Sequence, residues 1–171
     1  MNIISKLQSS QWQYRRNFAE LIYNDELLMQ IKFKKGTAYV DTQDHHWQIE
    51  RRGFFCSAIS VTENNKIVLS QNRIGFWQSK TEICIGDKEY ISKIKHSLLP
   101  AIAYGTETEP ILEYRVNSFW RKPRFLFHIL STSISENDLL LLTAAGFYSL
   151  RNLVNEYNAA AATTAVIVAS S

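Results

Sequence analysis

The stretch Ser133-Ile134-Ser135-Glu136-Asn137-Asp138-Leu139-Leu140-Leu141-Leu142-Thr143-Ala144-Ala145-Gly146-Phe147-Tyr148-Ser149-Leu150-Arg151-Asn152-Leu153-Val154 decides the fold. Ser135 and Asp138 have the spacing of a capping box, with Asp in the place of the more usual Glu. Two acids also fall at the positive end of the helix dipole. The four successive leucines, 139 to 142, cover every side of a helix, and a helix apolar all round must be enclosed by protein or by lipid. The apolar run ends at Arg151 after roughly a dozen residues, short of the ~20 that cross a bilayer. Gly146 costs about 1 kcal/mol of helix propensity relative to Ala, a cost accepted where a neighbour packs tightly on the backbone. The helix needs a jacket, and the preceding chain must supply it.

That chain reads as short strands punctuated by turns. Gln11–Arg16 alternates apolar and polar, and Asn17–Tyr23 is a second strand closed by the turn pair Asn24-Asp25. From Met29 onward Met29, Ile31 and Phe33 face one way and Gln30, Lys32 and Lys34 the other, and Lys35-Gly36 then turns the chain. Trp47–Arg52 alternates again, and Gly53 marks a kink before Phe54–Val61. Glu63-Asn64-Asn65-Lys66 is a hairpin turn, Ile67–Ser70 returns, and Phe76–Ile85 is a long strand turned by Gly86-Asp87. Lys88–Lys95, Leu98–Tyr104, Ile111–Val116 and Phe125–Leu130 complete about twelve antiparallel strands, the pattern of a sandwich or barrel. Residues 1–10 read as an N-terminal arm, 11–158 as one domain with its core helix over about 135–157, and 159–171 as an Ala-rich tail. The tail is expected to continue the helix in frayed form; a disordered or membrane-seeking segment is the alternative.

The 171 residues suffice for one core, and a net charge of +3 makes no case for nucleic acid. Cys56 and Cys84 sit inside apolar runs and read as buried thiols. The start, Met1-Asn2-Ile3-Ile4-Ser5-Lys6, has no export signal, so the expectation is a cytoplasmic protein, free or peripheral to a membrane.

About a dozen strands between Trp12 and Leu130, followed by the all-round apolar helix Leu139–Val154, resemble the tubby C-terminal-like superfamily. That superfamily includes the phospholipid scramblases and the LURP-one-related proteins. The resemblance implies a closed antiparallel β-barrel of about twelve strands wrapped around one hydrophobic C-terminal α-helix. It also implies a non-catalytic module that binds anionic phospholipid or a membrane surface. The scramblases' acidic calcium segment and Cys-rich stretch have no counterpart here, which sets scrambling and calcium binding aside. The phosphoinositide-binding motif of the tubby proteins does not map residue by residue.

The basic residues offer the candidate site. Lys32, Lys34 and Lys35 lie close together, with Lys32 and Lys34 on one strand face; Arg51-Arg52 and Lys93-x-Lys95 offer similar exposures, and Arg121-Lys122-x-Arg124 is the densest cluster. Gathered by a barrel, they would suit phosphate oxygens, through Arg forks and Lys point charges. Otherwise they are a solvated outer wall with Lys guarding strand edges. Trp120 beside Arg121 is either an interfacial anchor or a plug of the barrel end. His45-His46 point apart as neighbours on a strand, and His96 and His128 lie far apart, so no metal is expected. With no phosphate loop or nucleophile elbow, no cofactor and no enzyme are expected. A protein-interaction or structural module is the alternative function. A carrier of lipocalin type would need an amphipathic helix outside an empty barrel, which Leu139–Leu142 oppose. Lys and Arg clustered at one end of the fold would favour the lipid reading.

Overall fold

The computed structural model describes residues 2–52, 58–73, 80–95, 99–117 and 123–169. A short helix, α1 (Ile3–Gln8), precedes twelve strands. These are β1 (Gln11–Arg15), β2 (Phe18–Tyr23), β3 (Glu26–Lys34), β4 (Thr37–Thr42), β5 (His46–Arg52) and β6 (Ala58–Glu63). They continue with β7 (Lys66–Arg73), β8 (Lys80–Ile85), β9 (Lys88–Lys95), β10 (Ala101–Gly105), β11 (Pro110–Val116) and β12 (Phe125–Ile129). The long helix α2 (Glu136–Ala169) follows.

Each strand pairs antiparallel with the next, so the sheet order is the chain order from β1 to β12. The turns explain this meander. Asn24-Asp25, Lys35-Gly36 and Asn64-Asn65 all have positive φ at both central positions, the two-residue turn whose twist matches that of a hairpin. The sheet curls until its first and last strands lie side by side, and the ring of Tyr14 on β1 meets Phe125 on β12 edge-on, centroids 5.1 Å apart. The result is a nearly closed barrel.

The helix fills it. Leu139, Leu141, Leu142, Ala144, Ala145, Phe147, Tyr148 and Leu150 are all buried, although they point in every direction around the axis. Inward residues on strands all around the barrel meet them. The Phe147 ring packs at a tilt against Trp12 and Phe125, with centroids at 4.1 and 4.7 Å. The Tyr114 hydroxyl donates to the Thr143 carbonyl at 2.6 Å. A large side chain faces small ones across the inner wall: Tyr104 lies opposite Ser92, which lies opposite Thr81. Gly146 has the tight neighbour its sequence position called for, since a Cβ there would stand 2.4 Å from Cε2 of Tyr114.

The helix also starts as its sequence proposes. The Asp138 N–H donates to Ser135 Oγ at 3.2 Å. Asp138 itself is buried, takes Lys88 Nζ at 2.6 Å and accepts from the Tyr90 hydroxyl at 3.0 Å. Burial alone would raise its carboxyl; the bonds from Lys88, Ser135 and Tyr90 outweigh that and hold it below the usual range. The same pairing, after burial, pushes the Tyr90 hydroxyl up to about 12.

Two parts of the chain depart from the sequence reading. Residues 3–8, expected as an arm, form α1, capped by Asn2 Oδ1 accepting from the Ile4 N–H at 2.7 Å. Leu7 explains why: it is fully buried in the core, and six residues of helix are enough to present it. Cys84, expected to be buried, is half-buried, because it alternates with inward Ile83 and Ile85 and so faces outward. Cys56 lies outside the described residues. At the other end, α2 continues as helix through Ala169.

Candidate functional site

An up-and-down barrel sorts its connections between two rims. The β2–β3, β4–β5, β6–β7, β8–β9 and β10–β11 connections lie at one rim, where α2 enters after β12. The β1–β2, β3–β4, β5–β6, β7–β8, β9–β10 and β11–β12 connections lie at the other, where α2 leaves. Hydrogen bonds fix this direction. Asp138, at the start of the helix, bonds to Lys88 and Tyr90 at the start of β9. Tyr148, ten residues on, donates its hydroxyl to the Gly36 carbonyl of the β3–β4 turn at 2.7 Å.

Charge follows the same division. The entry rim carries Asp25 and Glu26, Asp44, Glu63, Asp87 and Glu89, Glu107 and Glu109, and then Glu136 and Asp138. Its cations are Lys6, Lys66 and Lys88, and two of them are held in ion pairs, Lys6 with Glu26 at 2.7 Å and Lys88 with Asp138 at 2.6 Å. The exit rim carries Arg15 and Arg16, Lys34 and Lys35, Arg51 and Arg52, Lys95, Arg115, Arg124 and Arg151. Its acids are already engaged: Glu156 with Arg51 at 2.7 Å, Glu50 with Arg52 at 3.8 Å, and Glu113 with Lys95 and Arg115 at 3.2 and 2.8 Å. Burial alone would raise the Glu113 carboxyl, but its two cations hold it low. The acids at the start of α2 also face the positive end of its dipole.

The predicted site residues divide accordingly. Lys32 and Lys34 lie on β3 and Lys93 and Lys95 on β9, six strands apart in a twelve-strand meander, so the two pairs stand on opposite walls. Lys32 is level with Phe18 and Arg15 in the ladder but turns its ammonium back along the wall to Asp41 at 3.4 Å. Lys93 is mid-wall beside Lys80, and both lower the carboxyl of Glu107, Lys80 most. Lys34 and Arg124 stand at the exit rim, both exposed, whereas Lys95, the last residue of β9, turns its ammonium back to Glu113 at 3.2 Å. Arg121, Lys122 and Trp120 lie outside the described residues. Sequence reasoning passed over Arg15, Arg16, Arg115 and Arg151 as site residues, and named Lys35 only as a neighbour of Lys32 and Lys34. Their signal is the alternation of sign from one turn to the next, which becomes a spatial division once the topology is up-and-down.

Two clefts mark the rims. At the entry rim, 370 Å³ opens between α1, the β2–β3 and β4–β5 turns and the first turn of α2. His45 beside it is bonded to Glu63 at 2.9 Å and stacked on Trp47, and His46 is bonded to Asp41 at 2.9 Å. Among the described residues no group of three or more His, Cys, Asp or Glu comes together to hold a metal. At the exit rim, 210 Å³ lies between the β3–β4 turn and the emerging helix, lined by Lys34, Lys35 and Arg151 and by no carboxylate. No described helix is long and apolar enough to cross a membrane. Comparison of the chain with protein-family models, curated proteins and solved structures finds no match.

Proposed function

We propose that the chain is a non-catalytic module of tubby-like type that docks its basic rim on an anionic phospholipid surface. The observation that carries this reading is the segregation of charge between the rims. A net charge of only +3 hides one end rich in Lys and Arg, of which Arg15, Arg16, Lys34, Lys35, Arg124 and Arg151 make no ion pair among the described residues, and another rich in Asp and Glu. A membrane surface of negative potential attracts each nearby Lys or Arg by ~1 kcal/mol. It repels the acidic end equally, so it both holds the barrel and orients it. The emerging part of α2 supports the same face: the helix leaves through the basic rim, and its residues from 159 onward are mostly Ala, Val and Ile.

The test is co-sedimentation with neutral and with phosphatidylserine-containing vesicles, at low and high salt, using the full chain and a chain ending at Asn158. Binding to anionic vesicles only, weakened by salt and retained without the tail, is the expected result. Binding that vanishes with the tail whatever the lipid charge would replace the basic rim with a hydrophobic anchor. No binding to any vesicle would leave the rims as surfaces for a protein partner of complementary charge.

A further inference from the structure

We propose that the cleft at the exit rim, between the β3–β4 turn and Arg151 of α2, binds a phosphate monoester dianion. This deepens the membrane reading and rests on it only for the source of the phosphate, a lipid headgroup or a soluble phosphomonoester.

The cleft is built of donors. Lys34 and Lys35 reach it from the turn, and Arg151 and Asn152 from the helix, with no acid among its lining residues. The one acid that follows on the helix within the described exit rim, Glu156, is taken by Arg51 at 2.7 Å. Arg151 is held in place: its guanidinium lies 3.9 Å over the ring of Phe33, and its Nε donates to the Tyr14 hydroxyl at 3.1 Å. Its two Nη groups meet no acceptor among the described residues, which leaves the fork that matches phosphate oxygens. The Asn152 Nδ2 is buried and likewise has no partner among the described residues.

The lysines are positioned too. Lys35 and Gly36 both have positive φ, and the Gly36 carbonyl is tied to Tyr148, three residues before Arg151, at 2.7 Å. Turn and helix are therefore fixed to each other, which lowers the ordering cost of binding. Nothing stands within 4 Å of a Cβ built on Gly36, so the mouth is open there. The volume of 210 Å³ equals about seven waters at ~30 Å³ each, enough for a phosphate group and its nearest waters but not for a whole lipid. Three cations around one site exceed what a carboxylate neutralises; a phosphate monoester carries about −1.5 to −2 at neutral pH.

Calorimetry with inorganic phosphate at constant ionic strength is paired with vesicles of matched charge density carrying either phosphatidic acid, a monoester, or phosphatidylserine, a diester. The full chain is compared with Lys34→Gln/Lys35→Asn, Arg151→Lys and Arg115→Gln/Arg124→Gln. Asn tolerates the positive φ of position 35, so the first variant should fold with an unchanged denaturation midpoint.

The expected result is phosphate binding and a preference for phosphatidic acid. Both fall roughly tenfold or more in the first variant, a loss of about 1.4 kcal/mol. Arg151→Lys, which keeps the charge and loses the fork, also weakens phosphate. Arg115→Gln/Arg124→Gln, exit-rim cations outside the cleft lining, weakens phosphatidylserine binding and leaves phosphate binding intact. Phosphate binding without vesicle binding would keep the cleft, assign it a soluble phosphomonoester and remove the membrane reading. Vesicle binding with no phosphate binding and no preference between the lipids would overturn the cleft and leave the membrane reading standing. Equal loss of phosphate binding from Arg115→Gln/Arg124→Gln and from Lys34→Gln/Lys35→Asn would also overturn it, by showing a diffuse charge effect.

Discussion

Replacing Gly146 by Ala should destabilise the protein, although Ala is the better helix former by about 1 kcal/mol. The added Cβ would stand 2.4 Å from Cε2 and 2.7 Å from Cδ2 of Tyr114, and 3.2 Å from Cε2 of Tyr104. Tyr114 cannot simply swing away, because its hydroxyl donates to Thr143 at 2.6 Å and its ring stacks on Phe127 at 5.6 Å. Overpacking of this kind costs ~1–3 kcal/mol and occasionally more. With two rings in the way the upper part of that range applies, so a net loss of about 1–2 kcal/mol remains after the propensity gain. In a chain of this size that is a fall of roughly 2–8 °C in melting temperature. Urea denaturation followed by circular dichroism gives the free energy. Tyr114→Phe, which removes the anchor but keeps the ring, lets the ring tilt, so the double variant should lose less than the sum of the singles. A Gly146→Ala protein more stable than the wild type would refute the packing of α2 against β11, and with it the filled barrel.

Three further outcomes test the fold. Leu141→Asp places an unpaired charge at a position 1% exposed and should leave no soluble, cooperatively folding protein; recovery of such a protein would remove the core helix. Leu7→Ala should cost ~2–5 kcal/mol in urea denaturation, where a loose arm would cost nothing. Stability should also depend on pH at both extremes through Asp138 and Tyr90. The folded carboxyl of Asp138 lies below its unfolded value, so its contribution is complete above about pH 4 and drains as pH falls through the folded value. The Tyr90 hydroxyl is raised to about 12, so its contribution is complete below the unfolded value near ~10 and is lost as pH rises towards 12. Urea midpoints against pH should lose part of the acid limb in Asp138→Asn and part of the alkaline limb in Tyr90→Phe; unchanged limbs would show that Asp138, Tyr90 and Lys88 do not anchor the helix start.

The architecture is legible because each of its signals is local. Four leucines in succession cannot hide on one face, so Leu139–Leu142 demand enclosure. Alternation at Met29–Lys34 and paired turn residues at Asn24-Asp25 and Asn64-Asn65 identify hairpins without knowledge of the rest. The capping pair Ser135 and Asp138 fixes where the helix starts. What escapes a sequence reading is nonlocal. Lys32 and Lys93 look alike as exposed strand lysines, but one turns back along the wall to Asp41 and the other is mid-wall beside Lys80. Their separation depends on counting six strands around a barrel. The cleft joins Lys34 and Lys35 to Arg151 and Asn152 across most of the chain, and only the passage of α2 through the barrel brings them together. Leu7 gave no periodic signal, since a six-residue helix has too few turns to show one.

The basic rim as the membrane-facing surface is the central claim, and comparing the two ends of the barrel tests it most directly. Arg15→Gln/Arg16→Gln/Lys34→Gln/Lys35→Asn neutralises part of the exit rim; Lys32→Gln/Lys66→Gln/Lys80→Gln/Lys93→Gln removes the same charge from the walls and the entry rim. Both would be titrated with phosphatidylserine-containing vesicles at low salt. At ~1 kcal/mol per cation near the surface, the first should lose affinity by on the order of a hundredfold or more. The second should bind within a few-fold of the wild type. Equal losses in the two would contradict an oriented rim and reduce the interaction to net charge.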